Sequence, residues 1–376
     1  MRDHSELTRS WTVQKLAYIY PNRLYFVVKD IDALSVRGRV IEHRFNSGSA
    51  WLLPVDLLRQ LIFLLKARNQ GVQHVVTHFA GYHTVLPTLL GFRTYIIVAG
   101  SDACSFPKIN YGSFRKPWMR WAMAFSFRRA ACILPVDPSL ECFENTFSDF
   151  GPKQQGYAHF VQDLKTRSTA VPYGFDHGQW TTPESERTQR SCICVAFGAA
   201  YADPVYFRKG IDLIIAAAQQ LPTYQFTLIG LVNVEAFTGL PSNLRLLGRV
   251  EPRELNKLFG ANSIVLQPSV MEGFPNALCE AMLCGCIPVV SNITSMPSIV
   301  EEIGIVIKER DVAVLVDAIT SIENLSPEQR SALRRAARER IVPFTMERRT
   351  DRLMRAMDET RTSLGQGECL QNVPIL

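Results

Sequence analysis

Two glutamates with seven residues between them, Glu272 and Glu280, stand in an otherwise apolar run, PSVMEGFPNALCEAMLCGCIPVVSN (268–292). The run SIVLQPS (263–269) reads as a short buried strand. Gly273 and Pro275 break the chain, and Pro275 suits the first turn of a helix. NALCEAMLCG then carries apolar residues at helical spacing and stops at Gly285, and CIPVVSN is the next strand. Strand, glycine loop, helix and strand make half of a doubly wound sheet, in which ligands bind at the carboxyl ends of the strands. Glu272 on the loop and Glu280 one turn into the helix can therefore face one crevice.

The elements that must position these acids alternate along the whole chain. Strand and helix signals follow one another from KLAYIYP to ACILPVD, and restart at CICVAFG after a Pro-, Gly- and polar-rich stretch at 171–191. Regular alternation with short connections predicts an α/β protein with parallel sheets. At 376 residues the chain has room for two such domains. We place the first at 1–175 and the second at 176–345, facing each other across a central cleft. Residues 346–376 form a helix that packs back toward the first domain, followed by a loose tail.

Composition excludes several classes. Charged residues make up 20% and hydrophobic ones 47%, the balance of a globular chain. The nine cysteines include the pairs Cys192/Cys194 and Cys284/Cys286, but no Cys/His cluster at zinc spacing accompanies them. No metal and no cofactor are expected, and unpatterned cysteines fit a reducing cytoplasm. The opening MRDHSELTRSW is too polar for a secretory signal. WLLPVDLLRQLIFLLK (51–66) is too short for a membrane span and carries Asp56 and Arg59, so it reads as a helix with a charged face.

Charge is uneven. Residues 1–175 hold 21 Lys/Arg against 12 Asp/Glu, whereas residues 176–376 hold 20 against 23. Within the first half, SFRKPWMRWAMAFSFRRA (113–130) sets Arg115, Lys116, Arg120, Arg128 and Arg129 among Trp118, Trp121, Phe125 and Phe127. Such a helix suits an anionic membrane surface, or it is a core helix with arginines at its rim. No nucleic-acid-reading motif accompanies it.

EGFPNALCEAMLCGCIPVV (272–290) resembles the donor-site signature of retaining GT-B glycosyltransferases of family 4, the glycosyl transferases group 1. RKGIDLIIAAAQQLPTYQFTLIG (208–230) and VPYGFD (171–176) are similar to further landmarks of that family, in the same order. The resemblance is strong over 190–310 and runs in register, more weakly, over 15–175. It implies two Rossmann-like doubly wound domains and transfer of a sugar from a nucleotide diphosphate sugar to an acceptor hydroxyl. The expected acceptor is a carbohydrate or lipid-linked sugar of cell-surface polysaccharide or lipopolysaccharide, on the cytoplasmic membrane face.

By the same resemblance Glu280 binds the ribose diol, and Glu272 holds donor-sugar hydroxyls with N–H groups of the Gly273–Pro275 stretch, Pro275 itself having none to give. Phe274, Asn276 and Ser269 line the donor site, and the helix start suits the diphosphate. Lys209, with Arg208 beside it, neutralises the leaving diphosphate. Two positions depart from the family. Ala199 stands where an arginine is usual, and Ala99 in VAGSDA replaces the histidine that normally approaches the donor sugar. Gly100 and Asp102 remain, and Asp102 either orients sugar or acceptor hydroxyls or caps its own turn. His78 either fills the space left by Ala99 or is structural, as is His83. Ala99 and Ala199 favour an alternative, a weakened glycosyltransferase-like binding or partner subunit; a sugar-nucleotide epimerase fits the glutamate context less well.

Overall fold

A computed structural model describes residues 15–46, 50–181 and 187–362; the polar start of the chain and the tail expected to be loose lie outside these. In the first half β1 (Lys15–Tyr20), α1 (Tyr25–Arg37), β2 (Arg39–Arg44), α2 (Leu53–Asn69) and β3 (His74–His78) alternate. They are followed by α3 (Val85–Leu89), β4 (Arg93–Val98), α4 (Pro117–Phe127) and β5 (Cys132–Pro135). All five strands are parallel, in the order β2-β1-β3-β4-β5. Runs such as Tyr95–Val98 are buried on both faces, as strands covered by helices on either side must be. A two-residue antiparallel pair, β6 (Phe143–Glu144) and β7 (Gln154–Gln155), and the single turn α5 (Tyr157–Phe160) close this half.

The second half begins with β8 (Ser191–Ala199), α6 (Pro204–Arg208), α7 (Ile211–Gln220), β9 (Gln225–Leu231), β10 (Leu244–Leu247) and α8 (Pro252–Ala261). It continues through β11 (Ile264–Gln267), α9 (Asn276–Leu283), β12 (Ile287–Ser291), α10 (Met296–Val300) and β13 (Ile305–Ile307). Its sheet is again parallel, in the order β10-β9-β8-β11-β12-β13. Then come α11 (Val312–Glu323), α12 (Pro327–Ile341) and α13 (Met346–Thr362). Ser326 opens α12 with a capping box to Gln329, which explains its sharp start.

The chain crosses between the halves twice, and the crossings lie side by side. On the way out, the Val171 N–H donates to the Pro135 carbonyl at 2.8 Å, extending the edge of the first sheet. On the way back, Phe175 bridges Thr345 and its N–H donates to the Phe344 carbonyl at 2.9 Å. The returning α13 then packs on α1 and β5. There Arg349, fully buried, grips Asp30 of α1 with two charge-assisted hydrogen bonds, Nε–Oδ1 at 2.5 Å and Nη2–Oδ2 at 2.7 Å. Its Nη1 donates to the carbonyls of Val171 and Pro172, at 2.6 and 3.0 Å. The apolar core is continuous across the halves: Val98 and Phe106 share one cluster with Val270, Met271 and Phe274.

The 51–66 stretch is helical with Arg59 and Lys66 exposed, but its acid does not share their face. Asp56, only 4% exposed, and Gln60 turn inward, Gln60 donating to the His83 carbonyl at 2.7 Å. Val55, Leu58, Ile62 and Leu65 face solvent instead. Within 113–130 the helix α4 covers Pro117–Phe127, with Met123 and Phe127 buried and Trp118 and Trp121 78% and 61% exposed.

Removing one member of a buried, hydrogen-bonded ion pair leaves the other uncompensated, at about 3–5 kcal/mol. Arg349→Met should therefore lower stability by about that much, and adding Asp30→Leu should return part of it. Thermal unfolding of the single and double variants checks this; equal melting of Arg349→Met and the parent would show that the pair does not hold α13.

Candidate active site

β11 ends at Gln267, and the loop 268–275 runs over the end of the second sheet into α9. Glu272 on this loop is buried, and its Oε1 receives Lys209 Nζ at 2.7 Å and Gln267 Nε2 at 3.1 Å, with Arg208 Nη1 at 3.5 Å. Gln267 also donates to Ser269 Oγ at 2.6 Å, so Ser269 belongs to the same cluster. Burial alone would push the Glu272 carboxyl up, but the charges of Lys209 and Arg208 outweigh it and hold it below its ordinary value.

Lys209 reaches this position because Gly210 adopts a left-handed conformation, φ +68°, between α6 and α7. A Cβ there would collide with the Pro268 carbonyl, so only glycine lets the turn lie on the loop. The Val270 N–H closes the contact by donating to the Arg208 carbonyl at 2.7 Å. The Arg208 guanidinium stacks 4.8 Å over the ring of Tyr111, a residue of the first half, and its buried Nε has no partner among the described residues.

Glu280 is differently placed. It is buried on α9, and its carboxylate has no hydrogen-bond partner among the described residues. Burial pushes it up to about 7, against a smaller opposing pull from Lys29. With Asn276 it lines a narrow crevice of about 10 Å³ between the halves, whose opposite wall is Phe26, Lys29 and Asp30 of α1. Pro275 caps the N-terminus of α9 without a side-chain bond, leaving the first N–H groups of the helix unclaimed by a capping side chain.

Three expected residues take other parts. Asp102 is fully buried, and its carboxylate accepts from the N–H groups of Ala80 at 2.8 Å and of Ala99 and Gly100 at 3.0 Å each. Of the two readings the turn cap is the observed one: both oxygens are spent on backbone. Burial pushes this carboxyl up to about 6 even so. His78 is fully buried between Tyr18, at 2.9 Å from Nδ1, and Tyr173, at 3.0 Å from Nε2, and burial pulls its pKa down to about 3. It is a neutral member of the core, with both ring nitrogens engaged. The Phe274 ring packs against Phe344, Tyr173 and Phe175, so only its backbone borders the loop.

Gly100 and Gly273 bring the facing loops into contact, since a Cβ on Gly273 would collide with the Ala99 carbonyl. Lys29, Gln267 and Tyr111 are the participants that sequence reasoning missed. Lys29 falls on an ordinary amphipathic helix, and Gln267 on the polar end of a strand; neither carries a local signal. Among the described residues no group of three or more His, Cys, Asp or Glu side chains is placed to hold a metal ion.

Two parallel doubly wound sheets with a crevice at their facing ends define the GT-B fold. Residues 200–340 match the family model described as glycosyl transferases group 1. Sucrose-phosphate synthase from Thermosynechococcus elongatus superimposes with a TM-score of 0.72 at 16% identity, over 93% of this chain and 100% of that one. An Anabaena protein, HepE, solved with UDP and glucose, gives 0.66 at 13% identity, over 92% and 100%. Among curated sequences, O-antigen chain mannosyltransferase B of Escherichia coli is 40% identical over 78 residues, 21% of this chain and 19% of that protein. Alpha-galactosylglucosyldiacylglycerol synthase of Streptococcus pneumoniae is 28% identical over 147 residues, 33% of this chain and 39% of that protein. The matches thus span well under half the length of these two relatives.

Because the folded pKa of Glu272 lies below its unfolded value, its ion pairs stabilise the fold above the ordinary carboxylate range, and this contribution is lost as pH falls through the folded value. Glu272→Gln should lower stability at about pH 7.5 by about 3–5 kcal/mol, the gap narrowing toward about pH 4. Denaturant unfolding of both proteins across that range checks it; a gap independent of pH would mean that the charge of Glu272 is not what matters.

Proposed function

We propose that this chain is a hexosyltransferase that moves a sugar from a nucleotide diphosphate sugar to an acceptor hydroxyl with retention at the anomeric carbon. The observation that carries the reading is the contrast between two carboxylates beside one helix N-terminus. Glu272 is neutralised by Lys209 and Arg208, while Glu280 is buried without a partner at the edge of a crevice. A buried carboxylate that lacks donors is a vacant acceptor, and a ribose diol supplies two O–H donors. The donor's diphosphate then lies between the α9 N-terminus and the Lys209–Arg208 pair.

In the transfer, the bond between the anomeric carbon and the diphosphate oxygen breaks and its electron pair leaves with the nucleoside diphosphate. The new bond forms to the acceptor oxygen, whose proton is released. Negative charge grows on the leaving oxygen, and Lys209 and Arg208 are fixed where they meet it without reorganising. Glu272, which holds Lys209 in place, accepts hydrogen bonds from donor-sugar hydroxyls. Neither a metal nor a cofactor is required in this scheme. Ala99 leaves the facing loop without a side chain that reaches the sugar, so positioning rests on the 272–275 backbone. The relatives named for O-antigen and glycolipid synthesis support a cell-surface polysaccharide or glycolipid acceptor, handled on the cytoplasmic face of the membrane. The second reading, a nucleotide-sugar-binding subunit without turnover, is favoured by Ala99 and by the absorption of Asp102 into its own turn.

Ribose hydroxyls bind the ionised form of Glu280, so the nucleotide lowers its pKa and the benefit of the glutamate grows as pH rises through about 7. Calorimetry with UDP, GDP and ADP should find one tight nucleotide, with Glu280→Gln binding it about 10- to 100-fold more weakly at high pH. The difference should shrink at low pH. Equal affinity of the two proteins throughout would remove Glu280 from the site. Nucleotide binding without release of sugar to any lipid-linked or polysaccharide acceptor would favour the binding subunit.

A further inference from the structure

Residues 50–131 carry ten lysines and arginines but only two acids, Asp56 and Asp102, and both acids are buried. This segment builds one continuous surface, because α2 packs on α3 and α3 on α4, with Thr84 Oγ1 donating to Ser126 Oγ at 2.8 Å. The segment itself therefore presents no carboxylate to solvent. Helix α2 buries Leu64 and Ala67 but also carries apolar residues on its outer face. Val55, Leu58, Ile62 and Leu65 form an exposed stripe at helical spacing, and Trp51 just before the helix is 93% exposed. Asp56 and Gln60 lie beneath it, and Asp56 Oδ2 and Gln60 Oε1 have no partner among the described residues. Burying unpaired polar atoms while exposing leucines is unfavourable on both counts unless the outer face meets something apolar.

We propose that the α2–α3–α4 face is a docking surface for an anionic lipid bilayer. The α2 stripe lies in the interface toward the acyl chains, flanked on the same helix by exposed Arg59 and Lys66. Trp118 and Trp121 of α4 sit at headgroup level, where indole rings partition, with Lys116, Arg120 and Arg128 beside them. No described helix is long and apolar enough to cross a membrane, so the contact is along the surface. The charge pattern chooses the occupant. A second copy of the same face would bring basic residues against basic residues, whereas anionic headgroups complement them and the lipid interior takes the stripe. The sequence alone pointed to α4; the inward turn of Asp56 brings α2 into the surface as well. The inference rests on this face and not on the transfer reaction.

The test is co-sedimentation with vesicles of phosphatidylcholine alone or mixed with phosphatidylglycerol, at low and high salt. The parent protein should bind the anionic vesicles, release them as salt rises, and show a blue-shifted tryptophan emission when bound. Leu58→Glu/Ile62→Glu and Lys116→Glu/Arg120→Glu should each weaken binding about tenfold or more, with melting temperatures unchanged. Because all four side chains are solvent-facing, folding should survive, and circular dichroism verifies it. Equal binding of parent and both variants would overturn the proposal. So would a parent dimer that Leu58→Glu/Ile62→Glu dissociates, or RNA binding through α4, if found without vesicle binding.

Discussion

The buried pair of Arg349 and Asp30 is the constraint on which the geometry of the molecule turns. These residues are separated by 319 positions, yet the guanidinium meets the carboxylate through two bonds and also takes up the carbonyls of Val171 and Pro172. One side chain thus fixes the last helix, the first helix and the outgoing crossover at a single point. Taking both charges out of water is expensive, and the gain is recovered only because nearly every donor and acceptor is used. Tyr18 adds a hydrogen bond to Asp30 at 3.0 Å and continues to His78 and Tyr173. Tyr173 in turn lies under the Arg349 guanidinium, 4.6 Å from its ring centre. The network is closed on itself, which is why His78 has nothing left to offer a ligand.

Two glutamates of the same chemistry, eight positions apart, are driven in opposite directions by their surroundings. Glu272 is buried beside two cations that hold its carboxyl below the ordinary value; Glu280 is buried with an opposing pull only from Lys29 and is raised to about 7. The difference comes from the turn at Gly210, which delivers Lys209 to one acid and leaves the other alone. Pairs of carboxylates whose environments separate their pKa values mark sites where the two have different tasks.

Much of the fold was legible because periodicity and punctuation are local. The strand–loop–helix around Glu272 follows from Gly273, Pro275 and Gly285. What could not be read depends on partners brought from far away. Nothing near His78 announces Tyr173, 95 positions on, and nothing near Asp30 announces Arg349. Asp102 was ambiguous for a different reason. A Gly-Ser-Asp turn has the same residues whether its carboxylate points to a ligand or caps the chain, and only the nearness of the Ala80 N–H decides. For α2, the inward turn of Asp56 and Gln60 could not be read, because it depends on the His83 carbonyl that Gln60 meets.

Contact between the facing loops sets what opening must do. With Gly273 against the Ala99 carbonyl, the facing loops leave no space between them at that end unless the halves separate. Separation there cannot be a simple translation, because the two crossings are hydrogen-bonded to each other at Phe175 and Phe344 and Arg349 clamps one of them to α1. Close packing reinforces this: Gly174 admits no Cβ against the Thr345 and Met346 backbone. What these contacts still permit is a rotation about the paired crossings. Such a rotation would change the width of the Glu280 crevice, because Glu280 and Asn276 on α9 face α1, the 173–175 segment and α13 across it.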